Sequence, residues 1–465
     1  MRTPTPQTWR AKPRDRGAIG RPLPAASDAR FRLPYVPLRF RIAATIVFAL
    51  LWMGVSTWIA MPWISDLADA ITLPGAIVVV TGIALLPGYL NANLLGAVVL
   101  DRPPPLPSSQ ELRFPRVTVL IAAYDEQESI TETLAYVTAQ DYPGGIEIMV
   151  IDDGSADATG ELAERVAARD GRIRVLRVPH GGKAKALNAG LAQTRTEVVA
   201  TIDADTLLMP QSLRRAVARM IGSPDDTVAV AGSVLVRNSR RNLITRMQEW
   251  DYFLGIATIK RQQALYQGTL VAQGAFSVYS ADALRRAGGW QDRSGEDIVL
   301  TWALMEGGGR TLYEATAVAF THTPSKIGQF SRQRRRWARG MIEGLREHGS
   351  GLVRSRRAYA HGVAVDYLFP YVDAAYCLAF LPGVILALTG NFAIVGPMTV
   401  AVLPLNLTLA GVMYVRQHQV FKEVGLRERR NPVGFLAYVF IYQVLSSPVS
   451  LWGYIQEITH RKARW

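Results

Sequence analysis

The sequence predicts an α/β domain, built on a mainly parallel Rossmann-like sheet and inserted between transmembrane α-helices. Three observations carry that expectation. Short β-branched runs alternate with helical patterns through the middle of the chain. Apolar runs of spanning length, taken as about 20 residues, flank that region on both sides. The chain of 465 residues is also basic and apolar at once: its formal net charge is +14, charged residues make up only 19%, and mean hydropathy is +0.11. Net charge alone would suit a nucleic acid or a membrane surface. The apolar balance points to the bilayer as partner and leaves no nucleic acid expected.

Residues 1–41 are rich in Arg and Pro and read as a flexible basic cytosolic tail. The first apolar run lacks a small-residue cleavage site behind it and reads as an uncleaved anchor. Two spans are expected within 42–100, at 42–60 and 75–100, followed by a Pro-rich linker over 101–115. The α/β domain is expected over 116–325, and amphipathic interface helices over 326–366. About three further spans fall within 367–457, at 367–389, 393–415 and 434–457, before a short tail at 458–465. Arginines crowd the first tail and the loop at 416–430, so the positive-inside rule puts both in the cytosol, with the central domain. Five spans would leave the C-terminus outside, at odds with its basic HRKARW. The expected location is the inner (plasma) membrane, multi-pass.

Within the central domain, strands are expected at 116–124, 146–152, 172–178, 197–205 and 227–236, and helices at 157–170 and 183–194. Ligands of such sheets bind beyond the carboxyl ends of the strands, and that is where acidic residues collect. IDDGS (151–155) closes the second strand, IDADT (202–206) the fourth, and SGEDIVLTW (294–302) opens a helix. Each alone has an ordinary explanation as a turn or a favourable first helical turn. Together they suggest a site. Asp203 and Asp205, one residue apart, can offer oxygens to a divalent cation, Mg2+ or Mn2+, whose other ligands are substrate phosphates. Asp297, with Glu296 beside it, suits a general base. Lys183 follows a Gly pair that allows close backbone approach, and can meet a phosphate. No GxxxxGKS/T loop and no GxGxxG is present, which removes P-loop phosphoryl transfer and dinucleotide redox chemistry. The lone Cys377 excludes an intrachain disulfide, and the six histidines show no metal-ligand spacing.

The stretch FSRQRRRWARG (330–340) raises a different question. On a helix, Gln333, Arg336 and Trp337 share one face, offering an amide, a guanidinium for diphosphate and an indole for a sugar ring. Arg334 and Arg335 point elsewhere and, with Arg332, suit anionic headgroups at a membrane surface.

Taken in order, IDDGS, HGGKAKALNAG, IDADT, GEDIVLTW and QRRRW resemble the motifs of the processive family-2 membrane glycosyltransferases, such as cellulose, hyaluronan and chitin synthases. RNSRRNLITRMQ (237–248) and EDIVLTWAL, followed by QRRRWARG, are most similar in look to the bacterial poly-β-1,6-N-acetylglucosamine synthases. The resemblance implies a GT-A fold and an inverting, processive enzyme. That enzyme would polymerise a UDP-activated sugar, foremost UDP-N-acetylglucosamine, into a β-linked polysaccharide and export the growing chain. It implies that Asp152 and Asp153 contact uridine and that Lys183, Asp203, Gln333 and Arg336 hold the rest of the donor. Asp205 would lie nearest the metal, Asp297 with Glu296 would supply the base, and Trp337 would stack the acceptor sugar. Two departures stand out. AAYDEQES (122–129) has Asp125 where the family more often has Asn, which adds negative charge near the nucleotide. Nothing resembling a cyclic-di-GMP-binding PilZ module follows the last expected span, which argues against direct control of the cellulose-synthase kind and leaves control through a small membrane partner subunit open. A β-glucan synthase using UDP-glucose, a non-processive transferase acting on a lipid, and a membrane scaffold with a mere binding domain are the competing readings.

Overall fold

The structure, a computed structural model, describes residues 36–107, 112–395 and 403–459. Both expected tails therefore lie largely outside the described residues. Eight strands form one sheet: β1 (Val117–Ala123), β2 (Ile146–Asp152), β3 (Ile173–Arg177), β4 (Val198–Ile202), β5 (Leu207–Leu208), β6 (Thr227–Val236), β7 (Phe276–Ser280) and β8 (Arg310–Thr321). Their spatial order is β3-β2-β1-β4-β7-β6-β8-β5. β1 runs parallel to β2 and β4, β2 to β3, and β6 to β8. β7 is antiparallel to β4 and β6, and β5 to β8. The sheet is mainly parallel, as expected, and every strand read from the sequence is present. β5, β7 and β8 were not anticipated.

The strands are apolar at successive positions because helices cover both faces of the sheet. Along β1, Val119 and Ile121 point to one side, where Leu134 and Val217 pack from helices Ile130–Thr138 and Ser212–Ile221. Leu120 points to the other, against Leu187 of helix Lys183–Gln193 and Leu300 of helix Glu296–Glu306. β4 has no exposed residue at all. Because β1 and β4 are adjacent and parallel, their carboxyl ends open side by side, and the acidic loops that follow them converge there.

Among the described residues, four helices are long and apolar enough to cross a membrane: Leu38–Ala70, Leu73–Leu100, Ala360–Leu388 and Pro432–Ile458. Leu51, Trp58, Leu378 and Phe440 stand exposed on their outer surfaces, as expected where lipid is the solvent. The expected span at 393–415 lies partly outside the described residues. The helix Leu403–Val424 that begins within it carries Arg416, His418, Lys422 and Glu423. Its Met413 and Phe421 pack against Phe253, and Glu423 pairs with Arg215 at 2.8 Å, so it is fastened to the α/β domain. The linker is fastened too, through Asp101 and Arg261 at 3.2 Å, both buried.

Helix Ala257–Leu265 lies under the sheet ends and buries Lys260, which is only 6% exposed. The Lys260 ammonium donates to the Val271 carbonyl, and among the described residues no carboxylate forms an ion pair with it. Burial pulls its pKa down from 10.5 to about 7, against the opposing pull of Asp297. Between those two pH values the unfolded chain holds a proton that the folded chain lacks, so this group makes stability rise with pH. The cost is complete below pH 7 and gone above 10.5. Lys260→Met should therefore raise the thermal midpoint in detergent by several degrees at pH 6, with the gain fading as pH climbs towards 10. A gain that does not change with pH would show that Lys260 keeps its proton when buried, as it does in the unfolded chain.

Candidate active site

All the expected site residues except Asp152 line one cavity of about 590 Å³ at the carboxyl ends of β1 and β4. The second strand delivers the two acids of IDDGS to opposite tasks. Asp152 is buried, and its carboxylate accepts from the Ser155 amide at 3.0 Å, which turns it into the loop and away from the cavity. It is not among the residues that line the cavity. Asp153 stays at the cavity wall, where its two oxygens accept from the Gly181 and Gly182 amides at 2.9 Å each. His180 sits 3.0 Å from the same carboxylate, and its ring lies 4.3 Å from that of Tyr124, another lining residue.

Gly182 takes a φ of +92°, a left-handed conformation that disfavours side chains, and ends the loop directly before the first residue of the helix, Lys183. The Lys183 ammonium meets Asp203 and lies 3.7 Å from Glu296. Burial alone would lower its pKa, but Asp203, Glu296 and Asp297 outweigh burial and hold it above the ordinary lysine value. Burial and then Asp203 push Asp205 up, and burial and then Asp297 push Glu296 up. Asp205 accepts from the Thr321 hydroxyl at 3.0 Å. Asp297 accepts from the Gly274 amide at 3.2 Å and the Ile298 amide at 2.9 Å, which fixes its carboxylate at the start of helix Glu296–Glu306.

Helix Ile327–Gly344 brings the fourth group of residues. Gln333, Arg336 and Trp337 all face the cavity, as helical spacing requires, and Arg336 lies close enough to Glu296 to oppose the rise in its pKa. Gln333 Oε1 is buried without a hydrogen-bond partner. Two contacts set this helix against the Asp297 helix. Glu343 accepts from the Ser294 and Gly295 amides at 3.2 and 3.0 Å, and Gly295 meets Gly340 so closely that a Cβ on either would lie 2.5 Å from the other's Cα. On its other side, helix Ile327–Gly344 packs on the last spanning helix, where a Cβ on Gly453 would meet the Arg335 carbonyl at 2.8 Å.

Arg334 departs from the expectation of a headgroup contact. It is 5% exposed and pairs with Asp251 at 2.8 Å, because the helix is covered on that side by the chain at 251 and by the last spanning helix. Arg332 remains exposed, as expected of a surface arginine. Asp125 differs as well. Its carboxylate accepts from the Ala156 amide at 2.9 Å, clasping two loops, and it is not among the lining residues. The adjacent Glu126 lines the cavity instead, with its pKa raised by burial. His322 was also missed. It follows the unanticipated β8, lines the cavity near Asp205, and has its pKa lowered by burial. The rule that found the other acids, a polar residue just past an apolar run, applies equally to AVAFTH (317–322).

A divalent cation can be tested against these groups. Among the described residues, no three His, Cys, Asp or Glu side chains form a complete metal cage. Asp203 and Asp205 supply two mutually repelling carboxylates, one of them already neutralised by Lys183. That set fits a cation completed by phosphate oxygens and does not fit a metal held by protein alone.

Comparison with known proteins agrees with this geometry. Residues 118–288 match the family described as Glycosyl transferase family 2. The poly-beta-1,6-N-acetyl-D-glucosamine synthase of Staphylococcus aureus (strain COL) is 32% identical over 242 residues, covering 52% of this chain and 58% of the relative. That of Staphylococcus epidermidis is 33% identical over the same length and coverage. The match thus spans little more than half of each relative. Among solved structures, the mannosyltransferase PcManGT from Pyrobaculum calidifontis, in complex with GDP-Man and Mn2+, aligns with a TM-score of 0.56 at 20% identity. The alignment covers 83% of this chain and 100% of that one, and it bears on the fold. The part of the cavity built by the loops after β1, β2 and β4 thus lies in a segment similar to glycosyltransferase family 2, on a fold shared with a solved glycosyltransferase, in a chain that resembles the poly-β-1,6-N-acetylglucosamine synthases over about half its length.

Proposed function

We propose that this chain is a hexosyltransferase: a processive, inverting polysaccharide synthase that takes a UDP-activated sugar, foremost UDP-N-acetylglucosamine, and extends a β-linked polymer. The observation that carries this reading is the meeting, in one cavity, of a carboxylate pair, a separate carboxylate at a helix start, and the Gln333–Arg336–Trp337 face. A transferase acting once on a lipid has little need of that third element. The similarity to the staphylococcal poly-beta-1,6-N-acetyl-D-glucosamine synthases supports the sugar.

In this reading the donor lies along the ends of β1 and β4, with its base near Tyr124 and Asp153 and its diphosphate towards Lys183 and Arg336. Asp203 and Asp205 would hold a divalent cation, which would supply charge neutralisation at a diphosphate. The Mn2+ named with the Pyrobaculum structure supports such a cation. Asp297 takes the proton from an acceptor hydroxyl as that oxygen bonds to the anomeric carbon. The bond from that carbon to the diphosphate breaks, and UDP leaves with the electron pair. Attack from the side opposite the leaving group inverts the centre, so an α-linked donor gives a β-linked product. Glu296, next to the ammonium of Lys183, keeps Asp297 in an acidic neighbourhood without competing for the same amide donors. Trp337 offers an aromatic plate to the acceptor ring.

The domain boundaries read from the sequence remain our assignment, with the catalytic domain cytosolic and the spans forming the export path at the inner membrane. Four spans would return the chain to its starting side and agree with the basic HRKARW end. A small membrane partner subunit is compatible with the apolar outer faces of those helices.

Membranes carrying the protein, incubated with a panel of radiolabelled UDP-sugars and then with linkage-specific hydrolases, test the reading directly. Label should enter a polymer from UDP-N-acetylglucosamine. Incorporation only into lipid extracts would overturn processivity, and incorporation from UDP-glucose would overturn the sugar.

Asp297→Asn should lower transfer by roughly 10²–10⁴-fold while UDP-sugar affinity stays within a few-fold. Retention of more than about a tenth of the rate would remove Asp297 as base. Chelation should silence the wild type, and Asp205→Ala should lose activity that added Mg2+ or Mn2+ does not restore. Polymer synthesis persisting in excess EDTA would sink the metal. Arg336→Ala and Trp337→Ala should each nearly abolish polymer, but Trp337→Ala should retain slow UDP release, because water needs no stacked acceptor. Equal loss of both products in the two variants would argue that Trp337 serves the donor.

A further inference from the structure

Arg334 is buried among aromatic rings. Its guanidinium carbon lies 4.3 Å from the ring centre of Trp337, 5.0 Å from Phe330 and 5.4 Å from Tyr442. One nitrogen donates to Asp251 at 2.8 Å, and the Tyr442 hydroxyl shares that same carboxylate. Asp251 opens a π-helical turn, Asp251–Ile256, and Tyr442 closes another, Tyr438–Tyr442. Such turns widen a helix by one residue and are common where a side chain must be aimed. The neighbouring Tyr252 lines the catalytic cavity.

A buried ion pair is a poor way to gain stability. Desolvating both charges costs several kcal/mol, and apolar side chains of similar volume often do as well or better. Arginine does two things here that an apolar residue cannot. Its guanidinium carbon sits over the indole, and one of its nitrogens is tied to a fixed carboxylate. The contact occupies part of Trp337 on the protein side and leaves the remainder to the cavity. We propose that Arg334 is a positioning residue for the acceptor sugar, holding the Trp337 indole at a set angle while Asp251 and Tyr442 hold Arg334. The inference rests on the reading of Trp337 as the acceptor platform. It also gives the last spanning helix, through Tyr442, a direct hand in that platform's orientation.

The test uses the full chain in lipid nanodiscs, with UDP-N-acetylglucosamine as donor and short β-1,6-linked N-acetylglucosamine oligomers as acceptor. Arg334→Lys keeps the charge for Asp251 and the aliphatic stem but loses the broad guanidinium over the indole. Its acceptor KM should rise by roughly tenfold, within the range of a desolvated cation–π contact, while donor KM stays within about twofold. A purely structural role would lower the folded fraction, and so kcat, leaving both KM values alone. That outcome, or an unchanged acceptor KM, would overturn the proposal. Asp251→Asn, which frees the guanidinium from its anchor, should show the same selective rise and serves if the lysine variant fails to fold. Trp337→Ala, run alongside, separates the two levels. If it leaves acceptor KM unchanged, the platform reading falls and takes this inference with it. If it is defective while Arg334→Lys and Asp251→Asn are not, only this inference falls.

Discussion

The structure is organised around the problem of packing acidic groups together. Asp203, Asp205, Glu296, Asp297 and Glu126 line one cavity at the ends of parallel strands, and burial, reinforced by neighbouring carboxylates, raises the pKa of Asp205, Glu296 and Glu126. Among the described residues Lys183 is the one ammonium that touches two of these groups, and it is presented by the first residue of a helix. The loop before it is pinned by Asp153, which binds two backbone amides, one of them on Gly182, whose positive φ favours glycine. The N-terminus of the Lys183 helix adds a partial positive charge in the same direction. Arg336, arriving from a helix far along the chain, adds another cation on the side facing Glu296. A site this rich in negative charge is poised to welcome cations and to take up a proton, and needs added positive charge before it can hold a diphosphate.

Much of this was legible in the sequence because β-strands buried on both faces leave an unmistakable apolar run, and the chemistry sits where such runs stop. The strands at 117–123, 146–152, 173–177, 198–202 and 227–236 all formed where the pattern put them. β7 escaped because FSVYS is short and follows a glycine-bearing loop, and its antiparallel direction is a property of the fold and not of any local signal. β8 escaped because RTLYEATAVAFT mixes polar and apolar residues that become buried only when β6 and β5 close around them. Helical spacing correctly grouped Gln333, Arg336 and Trp337. The same geometry could not say what lies behind the helix, and so Arg334 looked like a surface arginine until the chain at 251 and the last spanning helix covered it. The two adjacent acids of IDDGS were alike on paper, and only the turn at Ser155 separates their directions.

Helix Ile327–Gly344 has a double allegiance. One side completes the cavity, and the other packs on the last spanning helix through Gly453 and the backbone at Arg335. The soluble domain and the spans are therefore not joined by a slack tether at this point. Arg339 and Arg346 both reach Glu457 near the end of that spanning helix, at 2.8 and 3.4 Å, which fixes the helix pair along its length. A shift of the last span would be felt directly by the wall that carries Trp337.

The bare contact between Gly295 and Gly340 sets how far apart the Asp297 helix and the Trp337 helix stand. With no side chain on either, the two backbones already touch, so the separation has a floor and cannot be trimmed. It also cannot be widened in small steps, because the first carbon added would have to displace a whole helix. The reach between Asp297 and Trp337 behaves as a fixed gauge. Any adaptation of this scaffold to a bulkier or slimmer ligand has to be made on the cavity's other walls, where side chains such as Gln263 and Gln273 leave room for change.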